Sequence, residues 1–305
     1  MSGVIRIENL TKVYNGITAV DSLNLEVKKG EVFGFLGPNG AGKTTTIKAM
    51  MGLLEPTKGK ITIHDEVVSV FSGISSSRVG YLPEVVDLWD NLTGRETLEF
   101  MCDLKEVPRK EVDEKLHKVG LRDAGERRVK GYSKGMLQRL ALAQSVLGEP
   151  DLLVLDEPSA GLDPSGTALV KNIVREHVTK GGTVFFSSHI LPSVEAVAHR
   201  VGILVDGKLR ALDSLDNLRE ELQIPTRMQL VLSSHHDEIK DDLKQNSSIR
   251  SYKGNKNMIT ITCAKRDKKK VLDLVENSGT EIIDFDIQEG TLEDIFLSFS
   301  REGGP

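Results

Sequence analysis

The chain has 305 residues, 39% hydrophobic and 28% charged, enough for one large domain or two ordinary ones. Its net charge of −5 argues against general nucleic-acid binding, and two distant cysteines, Cys102 and Cys263, give neither a disulfide framework nor a thiolate metal site. No apolar run approaches the roughly 20 residues that span a bilayer, and MSGVIRIENL at the start alternates like a strand rather than a signal peptide. A cytoplasmic protein is expected, working at a membrane only through a partner.

In chain order, residues 4–30 predict two strands, VIRIENL and AVDSLNLEV, around a loop. KKGEVFGFLG predicts a turn and an apolar strand. A glycine-rich loop follows and opens onto TTTIKAMMGLL, which has helical spacing. KGKITIHDEVV reads as a turn with a strand or hairpin, and residues 93–148 carry several charged helical patterns. PDLLVLDEP and GGTVFFSSH hold apolar runs of the kind that parallel sheets bury on both faces. VGILVDGKLRAL reads as a hairpin turning at Asp-Gly.

The pattern changes near residue 224, at an Ile-Pro-Thr step. From about 226 the order is strand (MQLVLSS), helix (DEIKDDLKQ), two strands (IRSYK and MITITCA), helix (KKKVLDLVENS) and strand (EIIDFDI). That is a βαββαβ, ferredoxin-like plan, closed by the amphipathic segment LEDIFLSFS. Two domains are therefore expected, an α/β domain over 1–224 and a small α+β domain over 225–305. His235 and His236 adjoin a helix start without metal-ligand spacing.

Three stretches carry chemistry. GPNGAGKT, residues 37–44, fits G-x-x-x-x-G-K-[ST] between a strand and a helix, and the alternative of an ordinary glycine-rich turn does not account for that context. Its glycines let backbone N–H groups wrap a phosphate chain, so Asn39, Gly40, Ala41, Gly42, Lys43, Thr44 and Thr45 are the expected nucleotide contacts. Lys43 reaches the β- and γ-phosphates and Thr44 offers a hydroxyl to Mg²⁺. LLVLDEP ends a buried strand in two carboxylates: Asp156 to hold Mg²⁺ through water, Glu157 as a base that orients an attacking water. In SSHI, His189 stands past a third strand, placed to hydrogen-bond a γ-phosphate or to serve a structural role.

GYSKGMLQRL, residues 131–140, sets a small hydroxyl and a glycine at a helix start, a natural anion site, yet it lacks the Lys-Thr or Lys-Ser pair of a phosphate loop. In order, GPNGAGKT, YSKGM, LLVLDEP, SAGLD and His189 resemble the motifs of the ATP-binding-cassette (ABC) ATPases, over residues 4–222. The resemblance implies a P-loop NTPase fold: a RecA-like core, an antiparallel β subdomain and a helical subdomain at about 85–148, followed by a small α+β domain. It implies ATP and Mg²⁺ as cofactors, and a second copy of the chain as partner in an ATP-sandwich homodimer. Ser133 and Gly135 would contact the γ-phosphate of ATP held by the other copy. Asp163, in SAGLD, matches a loop that crosses the dimer interface, or it caps the following helix. Tyr14 matches an aromatic that stacks on adenine, or it covers a sheet edge.

Departures from the family pattern are specific. Where the family has Leu-Ser-Gly-Gly-Gln, this chain has Tyr132 to Met136, so Lys134 replaces a glycine and brings charge near the phosphate or points to solvent. Glu84, in YLPE, stands where the family has Gln, as a stronger Mg²⁺ ligand or as a different coupling to the transporter. Trp89 lies where the family docks a membrane subunit, or it anchors the helical subdomain. The run KRDKKK, 265–270, faces anionic lipid or forms a solvated loop and helix start.

The resemblance makes the chain the ATPase subunit of a transporter, held at the cytoplasmic face by an integral-membrane subunit, with no nucleic acid as partner. YLPEVVDLWDNLTGRETL and SSHILPSVEAVAHRVGILVDGKL look like the subunit that serves copper-site maturation of nitrous-oxide reductase. Drug, lipid and ion exporters of the same branch are the alternative. A non-transport ABC protein fits less well, since residues 45–150 leave no room for a long coiled coil and the chain has one cassette.

Overall fold

The computed structural model describes residues 3–71, 78–233 and 239–301. His235 and His236 lie outside the described residues. Strands β1 (Gly3–Tyr14) and β2 (Ile17–Lys28) form a hairpin whose turn, Asn15-Gly16, has positive φ at both residues. That backbone matches the twist of antiparallel strands. The chain continues through β3 (Val32–Leu36), α1 (Lys43–Met50), β4 (Lys58–Ile63), β5 (Glu66–Val67) and β6 (Val79–Leu82). Helices α2 (Gly94–Lys105), α3 (Glu111–Lys118) and α4 (Lys134–Ser145) follow. Next come β7 (Leu152–Leu155), α5 (Pro164–Thr179), β8 (Thr183–Ser188), α6 (Leu191–Glu195), β9 (Arg200–Val205) and β10 (Lys208–Asp213).

These elements make two sheets. One is antiparallel, in the order β2-β1-β4-β5; the other has six strands in the order β10-β9-β3-β8-β7-β6. In the second, only the β9–β10 hairpin is antiparallel. Strands β3, β7 and β8 are buried along their whole length, as apolar runs with neighbours on both sides should be. Phe185 stacks on Phe33 at 5.6 Å and packs against Phe35 at 5.4 Å between ring centres. The same core takes in Ile5, Ile7, Leu23 and Leu25 from the first sheet, which fixes the sheets against each other. Among the described residues no helix is long and apolar enough to cross a membrane.

In the helical segment, Thr93 and Glu96 cap α2 reciprocally. Tyr132 is buried, and its hydroxyl donates to the Ala124 carbonyl at 2.7 Å. It also sits where any side chain on Gly94 would clash, 2.2 Å from an added Cβ. The first residue of YSKGM is thus an anchor rather than a ligand.

The chain divides into compact units at Asp213/Ser214, not at residue 224. Helix α7 (Leu215–Glu221) belongs to the second unit because its contacts lie there. Ser214 caps it, Leu215 and Leu218 are buried, and Arg219 donates to the Gly290 carbonyl at 2.6 Å. The second unit continues as β11 (Thr226–Leu232), α8 (Lys240–Gln245), β12 (Ile249–Asn255), β13 (Met258–Cys263), α9 (Lys268–Asn277), β14 (Ile282–Gln288) and α10 (Leu292–Arg301). Its sheet order, β12-β13-β11-β14 with every pair antiparallel, has the first strand between the third and fourth. This is the ferredoxin-like arrangement that the βαββαβ order predicts.

Three of the cations in the basic run at 265–270 are paired with carboxylates. Lys265 reaches Asp216 and Glu289, Lys268 reaches Glu289, and Lys270 reaches Asp267. Hydrogen bonds from Lys268 and then Lys265 hold the Glu289 carboxyl below its ordinary range. A depressed carboxylate adds stability above its unfolded value of about 4.3, and that stability is lost as pH falls through the folded value. Denaturation of the full chain across this window, read by hydrogen exchange in 214–301, is expected to show a loss toward acid that Glu289→Gln diminishes.

Candidate active site

The loop after β3 is shaped by backbone contact. An added Cβ on Gly37 would lie 2.4 Å from the Leu204 carbonyl, and one on Gly42 would lie 2.4 Å from the Ala19 carbonyl. Gly42, at φ +104°, starts α1 with no side-chain cap. The first-turn N–H groups of α1 therefore point to a place suited to an anion. Lys43 is only 6% exposed; its Nζ donates to the carbonyls of Gly37 at 2.8 Å and Pro38 at 3.2 Å, and lies 3.5 Å from Glu157 Oε1.

The parallel register of β7 and β8 pairs Leu155 with Phe186 and brings Asp156 beside Ser187 at the next step. Asp156 is fully buried. Its Oδ1 accepts a 2.5 Å hydrogen bond from Ser187 Oγ, while Oδ2 has no hydrogen-bond partner. Burial pushes the carboxyl up, opposed by the hydroxyl of Ser187. Glu157 takes a left-handed backbone, φ +48°, which turns the chain sharply at the strand end. One oxygen of its carboxylate faces Lys43. The other accepts from the His189 backbone N–H at 3.3 Å and lies 2.8 Å from His189 Nδ1. With Glu157 ionised, that ring nitrogen carries the proton.

Thr44 donates to Glu84 Oε2 at 3.1 Å, so the departure at position 84 puts a carboxylate against the loop hydroxyl. Burial first, then the charges of Asp156 and Glu84, push the Tyr81 phenol up to about 12, so it stays neutral. Asn39, Gly40 and residues 42–45, with Ala19, Glu84 and Glu157, line a cleft of about 190 Å³. Ala41 does not line it; it is buried, and its N–H donates to the Pro38 carbonyl. The Thr44 hydroxyl, the unpartnered Asp156 Oδ2 and the Glu84 carboxylate are all oxygen donors, the type that suits Mg²⁺.

The remaining predicted residues lie elsewhere. Ser133, Gly135 and Asp163 are not among the residues that line the cleft. Ser133 caps α4 through the Met136 N–H, and Asp163 caps α5 through the Gly166 N–H at 2.8 Å. The Gly166 N–H, then the Ser165 hydroxyl, hold the Asp163 carboxyl below its usual range. Arg139 reaches Asp163 at 3.3 Å, and the exposed Lys134 lays its stem against Gly161. Gln138, buried, donates to the Pro158 carbonyl and ties α4 to the loop after Glu157. Tyr14 is 42% exposed at the end of β1, with Lys12 Nζ 5.1 Å from its ring centre, and does not line the cleft. Sequence reasoning missed Ser187 and Gln138. Only the strand register, which brings Ser187 to Asp156, was a signal for the first.

Residues 20–160 match the ABC transporter family, and residues 214–299 match the C-terminal domain of DrrA1-3-like ATP-binding proteins. The chain is 36% identical over 313 residues to the bacitracin transport ATP-binding protein BcrA of Bacillus licheniformis, covering 99% of each. A solved ATP-binding subunit of an ABC transporter superposes with a TM-score of 0.67 and 29% identity, over 72% of this chain and 93% of that one. A dimeric ATP-binding cassette solved in a post-hydrolysis state with ADP and phosphate has the same fold, with a TM-score of 0.65 at 24% identity over 69% of this chain and 98% of that one. The motif-shaped loop, the paired carboxylates at the strand end and these likenesses agree: the chain belongs to the ABC transporter family, as an ATP-hydrolysing subunit with a DrrA-like C-terminal domain.

Proposed function

We propose that this chain drives export of a peptide-like antibiotic through a separate membrane subunit, acting as a homodimer with MgATP at each of two shared sites. The observation that carries the reading is the separation of the two halves of the motif set. Lys43, Thr44 and Glu157 line the cleft, and Asp156 and His189, which do not, are tied to Glu157 through Ser187 and by direct hydrogen bonding, while Ser133, Gly135 and Asp163 neither line the cleft nor bond to this group. A second copy, packed head to tail, would supply the missing half. In that arrangement Lys43 exchanges its loop carbonyls for the β- and γ-phosphates. Glu157 accepts a proton from the attacking water, and His189 holds Glu157 in place. Thr44 and Asp156, with Glu84 beside them, would hold Mg²⁺, which would supply neutralisation of phosphate charge.

For the membrane partner, the helical segment exposes Val85, Trp89, Phe100 and Leu104, with Trp89 edge-on to Phe100 at 4.9 Å. Aromatic side chains of this kind suit an interface core. The cargo class is supported by the bacitracin transport relative. Copper-site maturation of nitrous-oxide reductase gains no support from these relatives. Inside-out vesicles holding the chain with its membrane subunit are expected to take up labelled bacitracin when given ATP. Vesicles that hydrolyse ATP but take up no peptide would overturn the cargo.

A further inference from the structure

The geometry points to Ser187 as a positioning residue whose one hydroxyl holds the carboxylate of Asp156 and the backbone N–H of Glu157 together. Ser187 is fully buried. Its Oγ donates to Asp156 Oδ1 at 2.5 Å and accepts from the Glu157 N–H at 3.0 Å. A hydroxyl has one hydrogen and two lone pairs, an ionised carboxylate only accepts, and a backbone N–H only donates. The direction of both bonds is thereby fixed. Oδ1 is engaged by the serine, and Oδ2, buried and without a hydrogen bond, is available to Mg²⁺ or its water. The second bond pins the peptide that enters the left-handed turn at Glu157, the turn that carries its carboxylate to Lys43 and His189. The neighbouring Ser188 does neither: its hydroxyl accepts from the Ile190 N–H.

This assignment rests on Asp156 and Glu157 having the roles proposed above. Outer groups that orient metal ligands cost about 10–100-fold in metal affinity or activity when lost. Ser187→Ala is therefore expected to raise the Mg²⁺ concentration for half-maximal ATP turnover about 10–100-fold. It should shift to the same extent the Mg²⁺ dependence of the thermal stabilisation by ATP, a readout independent of turnover. It should also speed amide exchange at Glu157. Ser187→Thr should restore all three, and Ser188→Ala should leave them unchanged. If Ser187→Ala does not fold, Ser187→Cys, of similar shape with only a weak donor, makes the same comparison. Unchanged Mg²⁺ dependence and Glu157 exchange in the folded variant would overturn the assignment. A fault in the underlying reading shows separately, as turnover that survives Glu157→Gln.

Discussion

Glu157→Gln is expected to lower ATP turnover by about 10²–10⁴-fold, the range over which a positioned base accelerates proton transfer. That is about 3–5 kcal/mol of barrier. The substitution is close to isosteric, and the amide oxygen still accepts from the His189 backbone N–H, so the turn at the end of β7 is retained. What is lost is the charge that Lys43 faces at 3.5 Å and that a water proton needs. Binding is retained because the backbone N–H groups of the loop and Lys43 remain. With hydrolysis blocked, ATP should hold two copies together, and light scattering with MgATP should show a dimer where the wild type cycles. A variant that turns over ATP like wild type would remove Glu157 from the role of base. A blocked variant that stays monomeric would remove the shared site.

Lys43→Ala is expected to abolish turnover and to weaken ATP binding by tenfold or more, the loss expected when charge-assisted hydrogen bonds worth about 1.5–3 kcal/mol disappear. The structure adds a cost without nucleotide. Lys43 and Glu157 are each buried, and removing one partner of a buried ion pair leaves an uncompensated charge, at about 3 kcal/mol or more. Thermal melting of Lys43→Ala without nucleotide should fall below wild type, while the double variant Lys43→Ala with Glu157→Gln should recover part of the loss. Equilibrium binding of a fluorescent ATP analogue measures the first effect and the melting pair the second.

Much of the site was legible because its chemistry is local in sequence. GPNGAGKT needs its glycines where the backbone meets Ala19 and Leu204, and its lysine one step into α1. LLVLDEP announces itself as a buried strand that ends in charge. The ferredoxin-like second unit could be read from element order alone, down to a strand order the sheet then adopts. The domain boundary could not, because α7 looks like a continuation of the first unit until Arg219 meets Gly290 across 71 residues.

The sequence by itself determined the α/β plan and where the glycine-rich loop, the two strand-end carboxylates and the histidine stand along it. Periodicity and turn chemistry act over a few residues and so leave their mark in the chain. Only the tertiary structure decided which of these groups meet. It seated Lys43 against Glu157, set Glu84 on the Thr44 hydroxyl, made Tyr132 an anchor and left Ser133 and Asp163 outside the cleft. Hydrogen bonds and ion pairs of a few ångströms join residues 30 to more than 100 positions apart. Their geometry is fixed by strand register and core packing, which no short stretch of sequence contains.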